Sequence, residues 1–394
     1  MSSNNKNIKI LNMPKLDFEV TEKDFERVDI YKLNRTDQVV GKPSKYLIDI
    51  IKRFAANRWA LVFLVFFVLI ILLAIFAPII SNSLGYTATG YIAGIKSNEW
   101  IKDLPPRLHG QLPTVTKHLL SIDMINRYEN AGEGVLVSKE YDYLTHMWSA
   151  TYSPYKIEEL KNVYPILGTD GSGVDIWNKL WTSVGMSLLL AFWVSILSVI
   201  IGVVYGSIAG AFVGKALDTV MMRFVEIISG VPSIVWLLIL GVVLKGGSDE
   251  TAVTLDSVTV GLSLLFILWF SPAIATRTYI MKTKDVEYVQ ATKTLGGSQA
   301  RVIFLHMIPV IAGRISVIFV NLIPTVIFYE ATLSFLGLKP PSNIGLGVML
   351  TNAQTISNIP EMVSPIFVFA LFTISAQIIA NALNDAIDPR VIGR

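Results

Sequence analysis

Six long apolar blocks constrain this chain more than any other feature. The first, "WALVFLVFFVLIILLAIFAPII", begins at Trp59 and carries no charge through Ile80. About twenty such residues, as a helix, cross the hydrocarbon core of a bilayer. Further blocks run roughly over 184–213, 218–244, 257–281, 313–337 and 364–386. The expected fold is therefore an all-α, polytopic membrane protein with six transmembrane helices. Composition agrees: 52% of residues are hydrophobic and 16% are charged, against roughly 25% charged in soluble domains.

The first block follows more than fifty polar residues, whereas a secretory signal starts earlier and has a shorter apolar region. It reads as an uncleaved span, 58–80. Residues 1–57 read as a cytoplasmic extension. Within it, "KYLIDIIKRFAANRWA" places Leu47, Ile50, Ile51 and Phe54 at helical spacing beside Lys45, Lys52, Arg53 and Arg58. That pattern describes a basic amphipathic helix at a membrane surface; an ordinary positive flank for the first span is the plainer alternative.

Lysine and arginine positions set the orientation. Basic residues flank the start of span 1, the 2–3 turn (Lys215, Arg223), the 4–5 loop (Arg277, Lys282, Lys284, Lys293, Arg301, Arg314) and the C-terminus (Arg390, Arg394). With the N-terminus inside, six spans bring all of these to the cytoplasmic side. The acidic 3–4 loop "GGSDETAVTLDS" then faces out. So does the segment 81–165, which is too long for a simple connection and is expected to fold as a small cap. His109 and His118 lie in it without ligand-like spacing.

Several function classes drop out. A net charge of +3 gives nucleic-acid binding no support. With no cysteine, disulfides and thiolate chemistry are excluded. There is no H-E-x-x-H and no phosphate-binding G-x-x-x-x-G-K-[ST]; the nearest string, "GAFVGKA", has the wrong spacing. "DGSGVD" (170–175) lacks the glycine and distal glutamate of a calcium loop and reads as a turn before span 2, with Asp170 or Asp175 as a cap. No repeat of 20–50 residues is visible. If the chain transports anything with ATP, a partner hydrolyses it.

One polar stretch interrupts the apolar pattern: "EYVQATKTLGGSQARVIFLHMIPV", Glu287 to Val310. Val286, Val289, Thr292 and Lys293 share one helical face, with Gln290 at its edge. Glu287, Ala291 and Thr294 lie round the other side. Gly296 supplies the left-handed stop that ends helices. Ser298 caps a second helix, and Pro309 kinks or ends it. The expectation is a helix–glycine–helix elbow that receives another protein; a surface loop without a partner is the bland reading.

Among charges within spans, Arg223–Glu226 reads as a local interfacial pair. Glu330, towards the outer end of span 5, is expected either to line a path or to face a companion subunit. Pro232, Pro272 and Pro324 are expected to interrupt spans 3, 4 and 5, and Glu226, Pro232 and Pro324 join Glu330 as candidates for the path or a subunit contact.

The elbow resembles the EAA loop of ABC-importer permeases. Gln290, Ala291 and Thr292 stand at the Glu-Ala-Ala positions, Gly296 at the glycine (followed here by Gly297), and Pro309 at the proline. Gln290 replaces the family's glutamate, and Glu287 lies one turn earlier. "RFAANRWALVFLVFFVLIILLAIFAP" (53–78), "ILGTDGSGVDIWNKL" (166–180), "EATLSFLGLKPP" (330–341) and "NDAIDPR" (384–390) are similar to strings of the C-type subunit of oligopeptide/dipeptide permeases. The resemblance implies a type I importer permease for oligopeptides, with a five-helix core over 166–394 and a coupling loop over 285–310. It further implies a homologous second permease, two ATPases carrying ATP and Mg2+, an external peptide-binding protein, and no cofactor in this chain. A dipeptide or nickel importer is the nearest rival. An ATP-independent secondary transporter is disfavoured by the lack of paired acids near the membrane midplane. An adhesion or sensing role for 81–165 would leave five spans unexplained.

Overall fold

The computed structural model describes residues 46–83, 100–108, 110–245, 257–338, 344–352 and 359–387. His109, the loop 246–256 and the two C-terminal arginines lie outside them, as does nearly all of the N-terminal extension. The structure falls into two units, divided after Ile48, and the second holds the helical bundle and the insertion. The helix α1 (Tyr46–Ala56) leaves Ile51 exposed.

Among the described residues, five helices are long and apolar enough to cross a membrane. These are α2 (Arg58–Ser83), α4 (Ile176–Ala211), the paired segments α7 (Ser257–Leu268) and α8 (Phe270–Thr283), α10 (Gln299–Phe335), and α12 (Ile359–Ile387). A sixth is made by α5 (Ala216–Ser229) with α6 (Ser233–Lys245), if that bent pair counts as one span.

The interruption of span 3 expected at Pro232 is present: its two halves meet at 85°. The cause is local. Gly230 and Val231 precede Pro232, which lacks an amide donor and disfavours helical geometry in the residue before it. The indole of Trp236 donates to the Ile228 carbonyl at 2.9 Å, satisfying an acceptor at the break. Pro324, by contrast, lies inside α10, which runs on through it. Pro272 falls in the first turn of α8, where a missing amide costs little.

The helix α4 begins eight residues before its expected start, and its C-terminal half sets the register of the bundle. Gly202, Gly206 and Gly210 lie on one face and meet α8. A Cβ on Gly206 would sit 2.2 Å from the Ala273 carbonyl oxygen; one on Gly210 would sit 2.8 Å from the Ile280 side chain. Glycines four apart let two helix backbones approach closely in a membrane. Buried apolar residues of α2, α4, α7, α10 and α12 form one continuous core, with Phe67 stacked on Phe372 at 5.2 Å.

The insertion adds strands to the helical bundle. β1 (Val115–Leu120), β2 (Leu136–Asp142) and β3 (Met147–Tyr152) form an antiparallel sheet ordered β1-β3-β2, with α3 (Ile122–Asn130) beside it. Tyr128 of α3 stacks on Tyr152 at 4.3 Å. His118 bonds Ser149 at 2.9 Å, and no metal-ligand cluster occurs among the described residues.

The insertion is seated on the turn that opens α4. Thr169 Oγ1 accepts from the Leu104 amide at 2.8 Å, and the Thr169 amide donates to the Leu104 carbonyl at 3.0 Å. Gly168 has φ +84°, and a Cβ there would fall 2.3 Å from the Leu104 carbonyl oxygen. Arg107, 7% exposed, donates to the carbonyls of Leu160, Lys161 and Val163 and lies between the rings of Tyr155 and Tyr164. Asp175 caps α4 by accepting from the Asn178 amide at 3.1 Å. Burial pushes its carboxyl up to about 6. Asp170 accepts from the amides of Ser172 and Val174 and from Lys179 at 2.7 Å, so its carboxylate is engaged within the turn.

Candidate coupling elbow

The short helix α9 (Glu287–Thr294) follows α8 after a three-residue turn. It is amphipathic at a single point. Val289 is fully buried against Ile280 of α8 and Val302, Ile303, Met307 and Ile311 of α10. Val286 and Lys293, expected on the same face, are exposed, and Thr292 is half-buried. The helix is too short to bury a longer stripe; one side chain reaches the groove between its neighbours.

The stop at Gly296 follows from backbone geometry. Gly296 has φ +83°, its amide donates to the Lys293 carbonyl and the Gly297 amide to the Thr292 carbonyl, each at 3.0 Å. This pair of bonds is the Schellman arrangement, which needs a left-handed residue and so favours glycine. At Gly297 a Cβ would come within 2.8 Å of the Thr292 carbonyl oxygen. Ser298 Oγ then accepts from the Arg301 amide at 3.4 Å and opens α10.

Pro309 does not end the second helix. The chain runs without a break from Gln299 to Phe335, and a π-helical turn over Val302–Met307 precedes the proline. A wider turn leaves room where the ring would otherwise strike the preceding carbonyls. The second arm of the elbow is therefore the start of span 5 itself, which makes the elbow continuous with a membrane helix.

Glu287, Tyr288, Gln290, Ala291 and Leu295 are exposed. Leu295 is 89% exposed at the tip. The Gln290 side-chain amide donates to the Lys284 carbonyl at 3.1 Å, tying α9 back to the preceding turn. A glutamate at this position would have no proton to donate at neutral pH, so the amide performs a local role that the acid cannot. A cleft of about 390 Å³ beside α9 is edged by Lys282, Tyr288 and Arg314.

Residues 202–393 match the family described as the inner membrane component of binding-protein-dependent transport systems, and residues 45–94 match the N-terminal TM domain of oligopeptide transport permease C. The chain is 44% identical, over 374 residues, to the oligopeptide transport system permease protein OppC of Mycoplasma pneumoniae; the match covers 94% of this chain and 97% of that protein. The Mycoplasma genitalium protein of the same name matches at the same identity and coverage. The Bacillus subtilis OppC protein is 28% identical over 87% of this chain and 89% of its own length. This chain belongs to the same permease family.

The rest of the permease places the expected charges unevenly. Arg223 and Glu226 form an exposed pair at 2.7 Å. Glu330 is 1% exposed and accepts from the Ser187 hydroxyl of α4, whose oxygen in turn accepts from the Leu346 amide at 2.7 Å. The short helix α11 (Leu346–Asn352) closes over it: a Cβ on Gly347 would lie 2.9 Å from Glu330 Cγ. The carboxylate is thus enclosed within the permease chain rather than presented on its surface. Beside the span-3 break, where Pro232 sits, a cavity of about 510 Å³ is walled by apolar side chains with Ser229, Ser233, Ser271 and Tyr329.

Two ion-pair sites carry no local sequence signal. Lys179 reaches both Asp170 at 2.7 Å and Glu361 of α12 at 2.8 Å. Arg277, legible in the sequence only as a basic residue near the 4–5 loop, forks onto Asp218, with Nε 2.6 Å from Oδ1 and Nη2 2.7 Å from Oδ2. Glu361 lies 182 residues from Lys179, and Asp218 lies 59 from Arg277, beyond the reach of periodicity. The glycine spacing 202–206–210, in contrast, is visible in the sequence as a helix-packing pattern.

Proposed function

We propose that this permease is one membrane subunit of an importer of oligopeptides, driven by ATP hydrolysed on partner subunits. The observation that carries the reading is the elbow. A short polar helix, anchored by one buried valine and continuous through Ser298 with span 5, displays its remaining surface outward. That is what a handle requires: loose attachment along its length, firm attachment at its end.

In this reading two ATPase subunits, holding ATP and Mg2+, act on the importer, and one of them receives α9 in a groove. A homologous second permease completes the bundle, and an external binding protein delivers the peptide. Both termini and the elbow face the cytoplasm, and the insertion faces out. The chain itself performs no covalent chemistry and holds no cofactor. Closure of the ATPases moves the elbow, and with it spans 4 and 5, so that access alternates. Relatives at 44% identity over nearly the full length carry the name oligopeptide permease, whereas the Lactococcus lactis relative named for dipeptides is 27% identical; this favours oligopeptides over dipeptides. The serine-lined cavity at the span-3 break carries no charged side chain, which suits passage of peptides regardless of side-chain charge.

Co-purification tests the reading. Ala291→Arg places a long charged side chain on the exposed face of α9, and Gly296→Pro removes both the left-handed φ and a donated amide. The expected outcome is loss of the ATPases from a permease that still folds. Unchanged association together with unchanged uptake overturns the proposal.

A further inference from the structure

The elbow is joined to the rest of the chain in a way that leads to the broken span. Val289 packs against Ile280 of α8. One turn earlier on α8, Arg277 grips Asp218 of α5 with both arms of its guanidinium. Asp218 is 4% exposed. In the fourteen residues of α5, Asp218 and Val225 are the buried ones, while Val220, Phe224 and Ile227 are exposed. A further polar tie is a 2.7 Å bond from the Tyr205 hydroxyl of α4 to the Met221 carbonyl. The helix α5 is therefore held at few points, and one of them is an ion pair on the same helix that receives the elbow. At its other end α5 meets α6 through the 85° joint, beside the 510 Å³ cavity.

What does an ion pair contribute here that apolar contact would not? A buried pair is weak evidence for added stability, since well-packed apolar residues of similar volume often hold as well. A two-point fork, however, fixes orientation as well as distance. Apolar surfaces slide; a bidentate bond turns its partner with it. We infer that Asp218 and Arg277 are positioning residues that transmit displacement of the elbow into span 3, setting the angle of its joint. The inference rests on the coupling role proposed for the elbow and adds a route within the chain.

The experiment uses the complete transporter in liposomes and reads peptide uptake and ATP hydrolysis together. D218N keeps the side-chain shape and loses one charge. The double variant D218L/R277M replaces the pair with apolar side chains, so that folding is retained even where the single variant leaves an unpaired arginine. In both, ATPase subunits stay bound and hydrolysis continues, but ATP consumed per peptide rises about fivefold or more, the scale of an ordinary coupling energy. A purely structural role instead lowers uptake and hydrolysis in proportion. That proportional fall, or a wild-type ratio in the double variant, overturns the inference. Failure of the unmodified chain to bind ATPases at all would instead sink the proposed function.

Discussion

At the base of the insertion, Gly168, Thr169 and Asp170 are held by paired backbone bonds, a hydroxyl, and a lysine shared with Glu361 of α12. At the elbow, Val289 is the one buried side chain of α9. The two regions differ in how they are attached. A segment meant to stay in place distributes its hold over several directional bonds, each of which resists displacement. The elbow has one buried anchor and one exposed side-chain bond, as the proposed role of a segment moved by a partner requires. The contrast is physical content for calling one a seat and the other a handle, and it can be broken from either side.

The largest effect is expected at the seat. Gly168→Ala forces a Cβ into backbone at a left-handed φ, so neither neighbour nor dihedral can relax cheaply. A loss of roughly 2–4 kcal/mol in thermal stability is expected, with the insertion becoming sensitive to protease. A wild-type melt would mean the seat is looser than its bonds suggest.

Next is the cap of α4. The Asp175 carboxyl is 3% exposed and titrates near 6 in the folded chain, above its ordinary value. The raised pKa means folding favours the protonated form. Its contribution is fully present below about pH 4 and is lost as pH rises through 6, a span worth about 3 kcal/mol. Asp175→Asn keeps the acceptor for the Asn178 amide and carries no charge. It should melt higher than wild type at pH 8, with the difference vanishing at pH 4. A difference independent of pH would contradict the assignment.

The smallest effect is at the handle. Gln290→Glu removes the amide bond to Lys284, with an expected loss of about 1 kcal/mol confined to α9. Hydrogen exchange at 287–294 should quicken while the global melt stays put. A global shift would show the elbow to be bound into the core after all.

Local chemistry makes much of this molecule legible. Apolar block length marks the spans, the glycine pair and Ser298 mark the elbow, and Asp175 stands as a candidate cap, because each depends on neighbours within a turn or two. The same local logic leaves Pro309 as a kink or an end, whereas a π-helical turn carries the helix on through it, and it expects Pro324 to interrupt span 5, although α10 runs on past that residue. Arg277 is legible as a charge but not as a partner, and Glu330 as an intramembrane acid but not as one enclosed by Ser187 and Gly347.

By itself, the amino-acid sequence determined that this chain is helical and membrane-embedded, and where its exposed elbow lies. Hydrophobic length, helix capping and glycine conformations act over a few residues and need no knowledge of the fold. The tertiary structure alone decided which charges meet. Asp218 finds Arg277, and Lys179 finds Glu361, through helix crossings fixed by close packing at Gly202, Gly206 and Gly210 and their counterparts. Such pairings depend on where distant segments settle against one another, which no local pattern records.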